Sequence, residues 1–465
     1  MELIVLIDIG STFTKVSAVD LGGARLVGRF QAPTTPANVT DGLEEALSGL
    51  ADNLGRQGVS LNDLRRARKL ACSSAAGGLQ MIAIGLVKDL TAEAARQAAL
   101  GAGARVLKTY AYELTEDDRE EIAKLQPDII LLAGGTDGGN HTTIIHNAKI
   151  LADLDLKIPV IIAGNRSVAS EVAGYLSKSF STYITANVMP EIGRLQVEPA
   201  REVIRQVFME TIVQAKGLSK ASEVIEGIFM PTPAAVLRAG NLLSRGVGKI
   251  PGWGDLLVVD VGGATTDIHS LGSGQPTRPG TVVRGLPEPF AKRTVEGDLG
   301  VRVSALPLVE AVGADVIGSH LGWEPSQVIE RAQKISSEPD FIPEGPEDVK
   351  FDQTLGFFAT KTASSRHAGH ISQVFTPTGP VWIQEGKDLT QIRHVVATGG
   401  VFVNSSDPRE MLMGVLQDSA EPFELKPAEP DFYLDHDYIL AAGGLLAEED
   451  GSIAFALLEN SLRSV

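Results

Sequence analysis

Two acidic residues close apolar runs and are followed by glycine and small hydroxyl residues. The first is Asp8 in "LIVLIDIGSTFTKV" and the second is Asp260 in "DLLVVDVGGATTDI". They lie 252 positions apart (260 − 8), and in that register Gly10 matches Gly262, Thr14 matches Thr266 and Val16 matches Ile268. A tight turn after a strand aims successive backbone N–H groups at one point, and glycine allows close approach. Such a nest binds an anion, phosphate above all. The hydroxyls of Ser11, Thr12, Thr14, Thr265 and Thr266 add hydrogen bonds, with Gly263 and Ala264 completing the second turn. A carboxylate repels phosphate, but it holds Mg²⁺ through water, and the metal bridges to the phosphate oxygens. Asp8 and Asp260 are therefore the expected metal-positioning acids. Lys15 adds a positive charge to the first turn, and Asp267 takes its place in the second. Either copy alone reads better as a hairpin turn whose aspartate accepts local backbone hydrogen bonds. Recurrence after equally apolar strands, once in each half of the chain, favours a pair of turns that clamp one polyphosphate.

Such turns need strands to carry them. "LIVLIDI" is apolar and β-branched, as a buried strand is. "FTKVSAVDL" and "ARLVGRFQAP", joined at Gly22-Gly23, predict a hairpin. "VTDGLEEALSGLADNLG" predicts an amphipathic helix capped by Thr40 or Asp41, and "TAEAARQAALGAGA" a helix capped by Thr91. From "KLACSSAAGGLQMIAIGLV" to "SVASEVAGYLSK" strands and helices alternate, which predicts an α/β domain. "EPAREVIRQVFMETIVQAKGL" predicts a long amphipathic helix, and "TPAAVLRAGNLLSRG" a helix with small residues on one side. After the second turn the pattern predicts helix and loop up to the strand of "IRHVVATGGVFV", and then C-terminal helices.

The bulk numbers set bounds. A chain of 465 residues exceeds one ordinary core, so two or more domains are expected. Lys+Arg 41 against Asp+Glu 58 gives a net charge of −17, a poor match to nucleic acid or an anionic membrane. The one cysteine, Cys72, excludes an intramolecular disulfide and a cysteine-ligated cluster within one chain. It reads as a small buried residue in a reduced, cytoplasmic protein. Glu2 precedes the first apolar run and Asp8 cuts it short, so no signal peptide is expected. No apolar stretch is long enough to span a bilayer.

The paired turns resemble the phosphate-1 and phosphate-2 motifs of the actin, sugar-kinase and heat-shock-chaperone ATPase superfamily. Other segments follow in matching order. "PTPAAVLRAG" resembles the first connecting helix, and "HVVATGGVFV" the adenosine motif, with Thr398, Gly399 and Gly400 against the nucleoside. "YILAAGGLLA" resembles the second connecting helix. "SSAAGGLQM", "LLAGGTDGGN", "RTVEGDLG" and "YILAAGGLLAE" together resemble the GlmL/MutL family, ATP-dependent chaperones associated with glutamate mutase and related adenosylcobalamin aminomutases. The resemblance covers nearly the whole chain. It implies a two-lobed actin-like fold of duplicated ribonuclease H-like domains around a nucleotide cleft. Lobe I is expected over 1–245 and lobe II over 246–435, with C-terminal helices at 436–465 returning toward lobe I. It also implies ATP and Mg²⁺ as ligands and aminomutase subunits as partners. A small-molecule kinase and an actin-like filament protein are the competing readings on the same fold.

Two further acids are candidates. Asp137, in "LLAGGTDGGN", follows a strand and opens a helix, so it is either a base that orients the attacking water or part of an Asx turn. Glu296 either meets the ribose hydroxyls or stands in a solvated helix start. His367 and His370 are spaced for one helix face, but no third metal ligand accompanies them.

Overall fold

The computed structural model describes residues 2–10, 12–35, 39–74, 79–208, 210, 229–377 and 379–465. The chain divides into two compact units: residues 1–235 with 285–289, and residues 236–284 with 290–465.

The first unit opens with β1 (Leu3–Ile9), β2 (Phe13–Asp20), β3 (Arg25–Pro33) and β4 (Arg68–Ser73). The first three form an antiparallel meander, and β4 runs parallel to β1 on its other side. The helix Val39–Leu54 presents Leu43, Leu47, Leu50 and Leu54, spaced by three or four residues, and all are at most 2 % exposed. Each such leucine contributes roughly 1.5–3 kcal/mol by leaving water. Five strands then intervene: β5 (Gln80–Gly85), β6 (Arg105–Ala111), β7 (Ile129–Leu132), β8 (Pro159–Ile162) and β9 (Ser181–Ile184). They form a wholly parallel sheet of order β6-β5-β7-β8-β9. Strands β7 and β8 are buried along their whole length, as strands covered by helices on both faces must be. The chain then returns to the first sheet as β10 (Phe229–Pro231), parallel to β4.

In the second unit β11 (Gly246–Val247) and β12 (Ile250–Pro251) make a small hairpin. The main sheet comprises β13 (Leu256–Val261), β14 (Thr266–Leu271), β16 (Ala291–Glu296), β19 (His394–Thr398), β20 (Asp431–Asp435) and β21 (Leu462–Ser464). Its order is β16-β14-β13-β19-β20-β21, where the first sheet has β3-β2-β1-β4-β10. The pairings agree as well: antiparallel within β13-β14-β16, parallel from β13 through β19 to β20. This shared strand order is that of a ribonuclease H-like domain present twice. The 22-residue helix Pro346–His367 buries Phe351, Leu355, Ala359 and Ala363 at every fourth position in the core of the second unit.

The structure corrects several expectations. A third sheet of the second unit, β15 (Thr281–Arg284), β17 (His370–Thr376) and β18 (Gly379–Glu385), lies where helix and loop were expected. "RTVE" is the end of β16 rather than a helix start. Helix formation begins at Val39, so Thr40 and Asp41 stand in the first turn instead of capping it. Thr91 lies within a helical stretch that starts at Lys88, and its Oγ1 accepts from the Leu86 and Val87 amides. The long amphipathic helix is described over Glu198–Val207, and its expected continuation beyond residue 210 lies outside the described residues. The division between units falls inside the helix Thr232–Arg245, after Ala235, and residues 436–465 belong to the second unit.

Candidate nucleotide-binding turns

Both acid–glycine–hydroxyl segments fold into the same turn. In the first, Asp8 pairs with Lys15 and Ile9 with Thr14 across the hairpin; in the second, Asp260 pairs with Asp267 and Val261 with Thr266. Four residues separate the last paired positions each time, Ile9 from Thr14 and Val261 from Thr266. The Gly10 amide donates to Phe13 O at 3.0 Å, and the Gly262 amide donates to Thr265 O at 2.9 Å. A Cβ on Gly10 would stand 2.7 Å from Phe13 O, so the turn requires glycine. Ser11 lies outside the described residues, and Thr12 is half-buried with its carbonyl accepting from the Thr34 amide.

Around the first turn the strand ends gather polar groups. Lys15 Nζ donates to Asp8 Oδ2 at 2.8 Å, and Thr232 Oγ1 donates to Asp8 Oδ1 at 2.7 Å. The lysine expected to face phosphate thus has Asp8 as its partner. Cys72, beside Asp8 in the β1–β4 register, donates Sγ–H to Asp8 Oδ1 at 3.5 Å. Burial, and then the neighbouring Asp8 charge, push this thiol well above its ordinary range and keep it protonated. The Thr14 hydroxyl meets Thr34 Oγ1 at 3.0 Å, while Thr34 donates to Gly10 O at 2.9 Å.

The second turn is braced differently. Asp267, 6 % exposed, receives Arg293 Nε at 2.6 Å from β16, and Thr265 Oγ1 donates to its other oxygen at 3.3 Å. Thr266 Oγ1 donates to Leu299 O at 2.5 Å. The hydroxyls of Thr14, Thr265 and Thr266, read as phosphate donors, therefore hold the turns themselves. Ser304 donates to Ala264 O at 2.7 Å, and the Arg302 amide donates to Gly263 O at 2.8 Å. The Arg302 guanidinium grips both oxygens of Asp352, at 2.9 and 2.5 Å. Burial raises the pKa of Asp352, and the arginine opposes that rise.

Register places Thr398 beside Asp260, and Glu296 beside Thr266, at one edge of the second sheet. Thr398 Oγ1 donates to Asp435 Oδ2 at 3.0 Å. Asp435 is fully buried and also accepts from the Ile439 and Leu440 amides and from Ser461 Oγ. Gly399 has φ +103°, and a Cβ there would meet Val261 O at 2.3 Å; Gly400 opens the short helix that follows. Glu296 accepts from Arg366 Nη1 at 2.7 Å, and the same guanidinium holds Asp298 at 2.9–3.0 Å. Asp298 titrates lower for that bond, and Arg366 higher.

Asp137 stands on a different sheet from Asp8, just beyond the carboxyl end of β7. Its Oδ1 accepts from the Arg166 amide at 3.1 Å and from Asn187 Nδ2 at 3.0 Å. His367 is buried between Thr294 Oγ1 and Ser270 Oγ, each at 2.8 Å, while His370 is exposed. The residues that sequence reasoning missed are Thr34, Arg293, Arg302, Ser304 and Asp352, which are joined to the turns only by folding. Thr232 had a signal, because "PTPAAVLRAG" was singled out as a connecting helix.

The family model described as "MutL protein" matches residues 4–462. "Protein MutL" of Clostridium tetanomorphum is 48% identical over 468 residues, covering 100% of both chains. Among solved structures, nucleotide-free acetone carboxylase aligns at 14% identity and TM-score 0.43, covering 96% of this chain and 70% of that one. The activator of 2-hydroxyisocaproyl-CoA dehydratase from Clostridium difficile, with bound ADPNP, aligns at 10% identity and TM-score 0.33, covering 99% and 95%. On the family match and the full-length identity, the chain belongs to the MutL protein family.

Proposed function

We propose that this protein binds ATP with Mg²⁺ at its two acid–glycine–hydroxyl turns and uses hydrolysis to reactivate an adenosylcobalamin-dependent aminomutase such as glutamate mutase. The observation that carries the nucleotide reading is the repeated turn. The same Gly N–H to carbonyl bond, at 3.0 and 2.9 Å, sits beside an aspartate at the strand end in each unit. The donor chemistry fits the metal. Asp8 already accepts from Lys15 and Thr232, so it suits a cation held through water rather than directly. Among the described residues no three His, Cys, Asp or Glu side chains gather as a metal cage, and Mg²⁺ bound largely through water and phosphate needs none. When bound, Mg²⁺ would neutralise phosphate charge. The chain's own part is to fix the turn amides and to hold Asp8 and Asp260 at the strand ends. The aminomutase client rests on family likeness. In an enzyme of that class a damaged cofactor that stays bound blocks turnover, and an ATP-driven partner would let it exchange.

The test is recovery of an inactivated aminomutase on adding this protein, Mg-ATP and fresh cofactor. Recovery should be lost with a non-hydrolysable analogue and with Asp260→Asn. Stoichiometric phosphate transfer to a small metabolite, without binding to the mutase, would support a kinase instead.

A further inference from the structure

The parallel sheet β6-β5-β7-β8-β9 has the doubly wound order 2-1-3-4-5, and open sheets of this kind bind small molecules beyond the carboxyl ends of their strands. A cavity of about 460 Å³ lies at that edge, lined by Asp137 after β7, Arg166 after β8, and Asn187, Glu191, Arg194 and Gln196 after β9. Two buried asparagines hold the turn beside it. Asn165 and Asn187 are 1 % and 3 % exposed. Asn165 accepts from the Gly138 amide and donates to the Gly139 and Asn140 carbonyls. Asn187 donates to Gly135 O and to Asp137 Oδ1, which sets the carboxylate against the cavity.

The glycine-rich turn is no phosphate cradle. The amides of Asp137, Gly138 and Gly139 donate to Pro190 O, Asn165 Oδ1 and Thr136 O. Recognition must come from side chains, and these carry both signs of charge. Arg166 Nε lies 3.6 Å from Asp137 Oδ2, and Arg194 Nη1 lies 3.1 Å from Glu191 Oε1. Among the described residues that 3.6 Å approach, longer than a hydrogen bond, is the contact Asp137 Oδ2 makes. The arginine side chains are 80% and 65% exposed, so both pairs are weak and a ligand can replace them with little loss. A lining of two guanidinium and two carboxylate groups matches a molecule with one carboxylate and one ammonium. An anion or a cation alone would leave half of it unmatched.

We propose that this cavity binds a small zwitterionic amino acid, its carboxylate on Arg166 and Arg194 and its ammonium on Asp137 and Glu191. The site does not depend on the nucleotide reading.

The experiment is isothermal titration of the full-length protein with L-glutamine and L-leucine as zwitterions, succinate as an anion and putrescine as a cation. At least one amino acid should bind saturably, with succinate and putrescine weaker by about tenfold or more. Asp137→Asn and Arg194→Ala should each weaken the amino acid by a similar factor, with circular dichroism and melting temperature unchanged. The proposal is overturned if neither amino acid binds saturably, if succinate binds as tightly as they do, or if both variants bind like the original protein.

Discussion

The two turns share a backbone and differ in how charge is handled. Opposite Asp8 stands Lys15, and the pair is 13% and 22% exposed. Opposite Asp260 stands a second acid, Asp267, and Arg293 answers it from the next strand, both side chains at most 8% exposed. Two residues further along, Ser17 of β2 corresponds to His269 of β14. The duplication kept the hydrogen-bond ladder, which any sequence can make, and let the side chains diverge. The first unit solved its charge locally across a hairpin. The second solved it with a buried ion pair between strands, which makes its turn depend on the whole sheet.

Breaking that ion pair should have the largest effect on stability. Arg293→Leu strands a buried carboxylate, and the second unit should lose about 3–5 kcal/mol. Tryptophan fluorescence reads this unit selectively, since Trp253, Trp323 and Trp382 all lie in it. An unmoved fluorescence midpoint would remove the contrast between the turns.

The histidine gives a pH signature. His269 is fully buried, both ring nitrogens lack a hydrogen-bond partner, and burial, then Arg293, push its pKa well below 6.5. The unfolded chain protonates this ring near pH 6.5 and the folded one does not. The stabilisation is therefore present above pH 6.5 and is lost as pH falls, by up to about 1.4 kcal/mol per pH unit. Between pH 7.5 and 5.5 the fluorescence-detected stability should fall more steeply than in His269→Leu. Parallel slopes would contradict it.

Smaller effects should follow at the first turn and at the strand that ends in Thr398. Lys15→Met removes a partly exposed ion pair and should change stability by about 1 kcal/mol or less, leaving the tryptophan transition in place. Thr398→Val removes one of four donors to Asp435, whose pKa burial already raises, and should cost about 1 kcal/mol in the second unit. Chemical denaturation of both variants beside Arg293→Leu gives the ranking directly.

The strands that carry the turns were legible because "LIVLIDI" and "LLVVDV" are short, apolar and end in the same acid–glycine signal. The α/β character of the segment between β4 and β10 was legible from strand–helix alternation, but its doubly wound strand order was not. Strands β15, β17 and β18 were not. "TVVR", "HISQVFT" and "GPVWIQE" are largely solvent-exposed and lack a clean apolar alternation. The acids, glycines and hydroxyls of the two turns could be picked out from spacing. Their supports could not, because Asp8–Thr232, Asp267–Arg293 and Arg302–Asp352 join residues 224, 26 and 50 positions apart. Hydroxyls adjacent to a glycine turn look alike in sequence whether they bind a ligand or the backbone.

The most direct measurement is ATP affinity with and without Mg²⁺, by isothermal titration, for the original protein, Asp8→Asn and Asp260→Asn. If both turns serve one nucleotide, binding is Mg²⁺-dependent. Each single substitution should then weaken it by about a hundredfold, roughly 2.7 kcal/mol, while circular dichroism stays unchanged. Binding that ignores Mg²⁺, or that survives both substitutions at the original affinity, would contradict the account.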